Sequence, residues 1–144
     1  MTSPSSWTAP LDVLRHASQV TIHTVGFAAQ RLPEMRAYED VRRVGAAARD
    51  DLHVLLRDGS PSGRVYAALL LEAIDADEGR VAWMSLRNDG ESTAVHCGGC
   101  MPHYPTTVGA FASAVLDAGG AESAMAVGGV PSWSIEANAK GEEP

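Results

Sequence analysis

The stretch richest in reactive side chains is His96-Cys97-Gly98-Gly99-Cys100-Met101-Pro102-His103. Two thiols separated by two residues can reach one tetrahedral zinc, and His96 or His103 offers a third ligand. The same spacing serves a redox dithiol when it opens a helix after a strand. A structural zinc site ordinarily takes a second ligand pair from farther along the chain, and none exists here. The remaining histidines, His16, His23 and His53, are scattered. The βαβ surroundings of thioredoxin-like proteins are missing, and Met101 directly after Cys100 excludes c-type haem attachment. Free cysteine is often simply a small buried hydrophobe, so the favoured reading is a structural turn with buried thiols and no cofactor. The alternative is a metal site at Cys97, Cys100 and His103 holding zinc.

Other patterns carry less. Asp75-x-Asp77-x-Gly79 starts like a calcium loop, but Arg80 and Leu86 stand where an EF-hand needs Gly and Glu. Gly59-Ser-Pro-Ser-Gly-Arg64 puts Gly and Ser at a helix start, where an anion can bind, yet it lacks the spacing and Lys of a phosphate loop. It reads as a helix cap and turn. No nucleophile elbow is present, no local signature assembles a serine triad, and no carboxylate pair is set apart for acid–base work. The chain reads as a non-enzyme.

The elements that must position these residues are mainly helices. Leu11, Val13, Leu14 and Ala17 suggest a first short helix after a Ser- and Pro-rich lead-in over 1–9 that is expected to be disordered. Val20 to Val25 is β-branched and fits either a strand or a continuing helix. Pro33 can open a helix carrying Tyr38, Val41, Val44 and Ala48 at spacings of three and four, broken at Gly45 or at Arg49-Asp50-Asp51. Ser60 as N-cap and Pro61 as first residue start the best-marked helix, 61–74, whose apolar run from Val65 to Ile74 contains only one charge, Glu72. A helix apolar all round must be covered on several sides, so it belongs at the centre. The acidic turn Asp75-Ala-Asp-Glu78 leads into another helix with Val81 and Met84 on one face and Ala82 and Leu86 beside them. A short extended piece follows at Thr93–His96, and a helix runs from Pro105 to Ala118, stopped by Gly119-Gly120. The domain proper spans 10–120. The Gly/Ala/Ser-rich remainder, 121–144, is expected to be anchored in part, by Trp133 and Ile135, and frayed over its last residues.

Composition narrows the function. The chain has 144 residues, 45% of them hydrophobic, enough for one domain with its own core. A net charge of −7 argues against binding nucleic acid or an anionic membrane, and suits a basic protein partner. No stretch reaches the ~18–20 apolar residues that span a bilayer. The N-terminus has neither the basic nor the apolar region of a signal peptide, which with two cysteines fits a cytoplasmic location.

Ser60 to Leu86, two antiparallel helices joined by a tight acidic turn, looks like one HEAT-like repeat. Val25-Gly-Phe27, Pro33-Glu-Met-Arg-Ala37, Leu55-Leu-Arg-Asp-Gly-Ser-Pro-Ser-Gly-Arg-Val-Tyr-Ala-Ala-Leu69 and Gly99-Cys100 are together similar to small uncharacterised bacterial proteins with HEAT-like helices. The resemblance covers roughly residues 20–100 and rests on helix-boundary residues. It implies a compact, mostly α, HEAT-like bundle with one or two short extended segments, and an interaction role. The resulting expectation is a non-catalytic protein-binding module, in its most concrete form an antitoxin-like immunity protein that neutralises a basic toxin. Partner contacts are expected at Asp50, Asp51, Asp75, Asp77 and Glu78, with Tyr38 and Trp83 as the apolar anchors to test, although each reads first as a core residue. The alternative function is a small metal- or thiol-dependent protein centred on the Cys-x-x-Cys motif.

Overall fold

The computed structural model describes residues 7–21, 32–96, 103–125 and 133, apart from the side chains of His96 and His103. These residues form helices α1 (Thr8–Arg15), α2 (Pro33–Val44), α3 (Arg49–Asp58), α4 (Pro61–Ile74), α5 (Ala76–Leu86), α6 (Val108–Ala118) and α7 (Ala121–Met125), with strands β1 (Val20–Thr21), β2 (Ser92–His96) and β3 (His103–Thr107). The fold is mostly helical, with one small sheet.

Local chemistry sets most of these boundaries. Pro33 takes the first position of α2, Glu34 lies in its first turn and Arg42 and Arg43 in its last, all favourable against the helix dipole. Gly45, at φ +69°, breaks the helix into a 3₁₀ turn (Gly45–Ala48) that redirects the chain into α3. Ser60 Oγ accepts the Gly63 amide at 3.0 Å to cap α4, and the Asp75 carboxylate accepts the Asp77 and Glu78 amides to cap α5. Gly119 in the left-handed conformation ends α6.

Helix α4 is the centre, as its uninterrupted apolar run requires. Its buried residues run from Ser62 to Leu71 with only Arg64 left out, and it packs against α3, α5, α1 and α6. Tyr66 and Leu71 are fully buried and Leu70 nearly so. Glu72, the lone charge, is satisfied: its carboxylate accepts Trp83 Nε1 at 3.3 Å and the Ala121 amide at 3.2 Å, so it also caps α7. Trp83 meets Phe111 edge-on, Phe111 meets Trp133, and Trp133 meets Tyr104. Trp133 is thus an anchor in the core, with its indole N–H on the Ala124 carbonyl. Ile135 lies outside the described residues.

Three expectations are corrected. Pro105 does not open the last helix but lies in β3, where Tyr104 and Thr106 point inward and Pro105 outward. An edge strand tolerates proline, and the true N-cap is Thr107, whose Oγ1 accepts the Ala110 amide at 3.1 Å. In α5 the buried face is Gly79, Ala82, Trp83 and Leu86, leaving Val81 66% and Met84 50% exposed. The large indole at the i+4 position of that stripe decides which way the helix faces. Near the start, α1 already begins at Thr8, and Trp7 packs against the core, so residues 7–9 are part of the fold.

The sheet has the order β1-β2-β3, with Val20 pairing parallel to Val95 and β2 antiparallel to β3. Val20–Thr21 is therefore strand, while 22–25 lies outside the described residues.

Candidate functional site

The five acidic residues singled out from the sequence start two different helices. Asp50 and Asp51 lie in the first turn of α3, and Asp75, Asp77 and Glu78 form the cap and first turn of α5. Helix α4 runs back between them, so α3 and α5 begin at the same end of the bundle. The contact that ties these ends together is Arg49 Nε to Glu78 Oε2 at 2.9 Å, 29 residues apart in sequence.

Within this acidic end the carboxylates do different things. Asp75 is occupied as a helix cap, its Oδ1 2.8 Å from the Asp77 amide. Glu78 is held by Arg49, and Asp51 Oδ2 accepts the indole N–H of Trp7 at 2.7 Å. Asp50 and Asp77 are exposed and have no partner among the described residues. All five also face helix N-terminal amides, whose partial positive charge offsets part of theirs. The arrangement suits electrostatic attraction at long range more than tight chelation: among the described residues no group of three metal-ligating side chains is present.

Tyr38 and Trp83 are not surface anchors. They are 7% and 1% exposed, and Tyr38 stacks at a tilt on Tyr66 with centroids 5.8 Å apart. Desolvation raises the Tyr38 phenol above its ordinary pKa. Their sizes made them natural choices on the sequence, but their helical positions fall on the inward stripes of α2 and α5.

The Gly59–Leu69 segment, which carries much of the resemblance noted above, is a structural rivet. Ser60 Oγ donates to the Ala17 carbonyl at 2.7 Å while capping α4. Ser62 Oγ meets Thr93 Oγ1 at 2.6 Å in the core. A Cβ on Gly63 would lie 2.6 Å from the Leu14 carbonyl oxygen, so only glycine lets α1 come this close. Arg64 is ion-paired to Asp89 and, at 2.7 Å, to Glu91. The Tyr66 hydroxyl accepts the Thr21 amide at 2.6 Å and donates to the Thr21 carbonyl at 2.9 Å. An anion at this helix start would have to displace the serine cap and compete with two carboxylates for Arg64.

Of the Cys-x-x-Cys segment, Cys97 and Cys100 lie outside the described residues. The backbone register does place His96 opposite His103 as the last pair of the β2–β3 ladder. His16 and His53 are exposed on the helical part, and His23 lies outside the described residues.

Two of the surface grooves border residues of the acidic end. One of about 690 Å³ lies between α5 and α6–α7, with Arg80 and Arg87 beside Asp77 and Glu122 around a floor that includes Trp83 and Leu116. Its charges are mixed. The other, of about 270 Å³, lies between α1 and α3 and shares Asp51 with the acidic end.

Compared with known proteins, the chain matches no family model, no curated protein and no solved structure. Among the described residues no helix is long and apolar enough to cross a membrane.

Proposed function

We propose that this protein is a non-catalytic binding module whose acidic end captures a basic protein, in its most concrete form as a cytoplasmic immunity protein that neutralises a basic toxin. One observation carries the reading: the Arg49–Glu78 pair at 2.9 Å joins the starts of α3 and α5, so two acidic turns separated in sequence form one surface. Asp50 and Asp77 supply its unpaired charge, and the net charge of −7 adds a long-range field of the same sign. Such exposed charges act mainly on association rate and on its salt dependence. HEAT-like stacking of α4 and α5, and membership of the bacterial proteins it resembles, are part of the same proposal. The test is association kinetics with the partner co-purified from the native host. Asp50→Asn/Asp77→Asn should slow association and flatten its salt dependence without changing thermal stability; an acidic partner, or unchanged kinetics, contradicts the reading.

A second reading is favoured by the register of the hairpin. His96 and His103 are cross-strand partners, and the segment between them in sequence contains Cys97 and Cys100, so HCxxCxxH places four side chains of two zinc-ligand types, Cys and His, within eight residues. Under this reading the protein is a small metal- or thiol-dependent protein. Zinc at one equivalent per reduced chain, lost in Cys97→Ser/Cys100→Ser, supports it; metal-free protein after zinc loading and dialysis rejects it.

A further inference from the structure

With Tyr38 and Trp83 buried, the acidic end needs a different apolar contact, because exposed charges alone contribute little affinity. The α1/α3 groove has that contact. On α1, Thr8, Leu11, Asp12 and Arg15 recur at i, i+3, i+4 and i+7; on α3, Asp51, Val54, Leu55 and Asp58 do the same. Each helix thus lays one stripe along the groove: on α3 Val54 and Leu55 stand between Asp51 and Asp58, while on α1 Leu11 is the apolar residue, followed by Asp12 and Arg15. Both ends are pinned, by Trp7 Nε1 on Asp51 and by the Ser60 amide on the Arg15 carbonyl at 2.9 Å, so the two helices start together and end together. Val54 is 43% exposed on the surface of this trough, over a buried Leu55.

Charge selects the occupant. Three carboxylates, Asp12, Asp51 and Asp58, border the groove against one guanidinium, Arg15. Asp12 faces His16 at 3.8 Å and Asp58 faces Arg57 at 3.4 Å, but these pairs are solvent-exposed and easily exchanged for a partner's cations. The eight residues of α1 give the trough a length of about 12 Å, a little over two helical turns. We propose that this groove receives a basic amphipathic helix of the partner, its apolar stripe on Leu11 and Val54 and its Lys or Arg side chains on Asp12, Asp51 and Asp58. The inference rests on the protein-binding reading above and adds the place and chemistry of the apolar anchor.

The experiment uses the full chain and three labelled 12-residue peptides followed by fluorescence anisotropy. One carries Leu at i, i+3, i+4 and i+7 with Lys elsewhere; the second replaces every Lys by Glu; the third keeps the Lys and replaces Leu by Gly. Only the Leu/Lys peptide should bind well. Val54→Arg, at an exposed position that leaves the thermal unfolding midpoint in place, should weaken it more than about tenfold, and Asp12→Asn or Asp58→Asn about two- to five-fold each. Asp50→Asn/Asp77→Asn should change its affinity by less than either. If the Leu/Lys peptide binds but responds to Asp50→Asn/Asp77→Asn and not to Val54→Arg, the groove is overturned while the acidic end stands. If it does not bind, or the Leu/Glu peptide binds equally, the groove is overturned, and the basic-partner reading is decided separately by the salt dependence of association with the co-purified partner.

Discussion

Tyr66 ties α4 to β1, and Arg64 ties it to the connection that leads into β2. Removing the Tyr66 hydroxyl in Tyr66→Phe takes one buried hydrogen bond from the Thr21 amide and one from the Thr21 carbonyl, which should cost about 1–3 kcal/mol in denaturant unfolding. Burial pushes the Tyr66 phenol far above its ordinary pKa of 10.0, so the fold holds this proton more tightly than the unfolded chain does. The corresponding stability is fully present below about pH 10 and is lost as pH rises beyond it. Wild-type protein should therefore lose stability above that pH more steeply than Tyr66→Phe; parallel alkaline unfolding curves would contradict this. Arg64 is 16% exposed and Asp89 12%, so their pair is shielded from solvent. Arg64→Ala strands the Asp89 carboxylate and should cost about 2–3 kcal/mol, with the loss shrinking in the double variant Arg64→Ala/Asp89→Ala.

At the scale of elements the account depends on α4 being the centre. Leu70→Asp puts an unpaired charge where the native side chain is 1% exposed, and should abolish the helical circular-dichroism signal at ambient temperature. A soluble variant with native thermal stability would contradict the assignment. Ser60→Ala tests the cap more gently, with an expected loss of about 1 kcal/mol plus any contribution from the bond to the Ala17 carbonyl. The starts of α2 and α4 were legible in the sequence, because Pro33 presets the backbone at the first helical position and Ser60 caps the Gly63 amide; α5 starts at Ala76, inside the stretch that reads as an acidic turn, because Asp75 caps it. The hairpin was not legible as such. Thr93–His96 reads as extended, but its pairing with β3, from Ser92 with Thr107 onward, is a nonlocal register, and no local signal at Pro105 separates a strand residue from a helix opener. The orientation of α5 was missed for a related reason. Val81 and Met84 fit a helical stripe as well as Ala82 and Leu86 do, and only packing of Trp83 on Phe111 chooses between them.

At the scale of the molecule, charge and topology act together. The acidic turns could be read from Asp50-Asp51 and Asp75–Glu78 as residues, but their meeting depends on α3, α4 and α5 alternating in direction, which the Arg49–Glu78 contact records. The Asp51/Val54/Leu55/Asp58 stripe was also present in the sequence; nothing in it indicated that α1 would leave this stripe partly open. Cys97 and Cys100 carry the alternative reading and no part of the acidic surface as proposed. Cys97→Ser/Cys100→Ser should leave partner affinity within about tenfold, or about 1.4 kcal/mol, by titration calorimetry. A larger loss would move the centre of function to the Cys-x-x-Cys motif.

The most direct test of the central claim is the association rate with the co-purified partner, measured from about 50 mM to about 500 mM salt. Over that range the Debye length falls from roughly 14 Å to about 4 Å. If the acidic end captures a basic protein, the rate falls steeply with salt for wild type, and Asp50→Asn/Asp77→Asn starts lower and falls less. A rate indifferent to salt, or equal slopes for the two proteins, would contradict it.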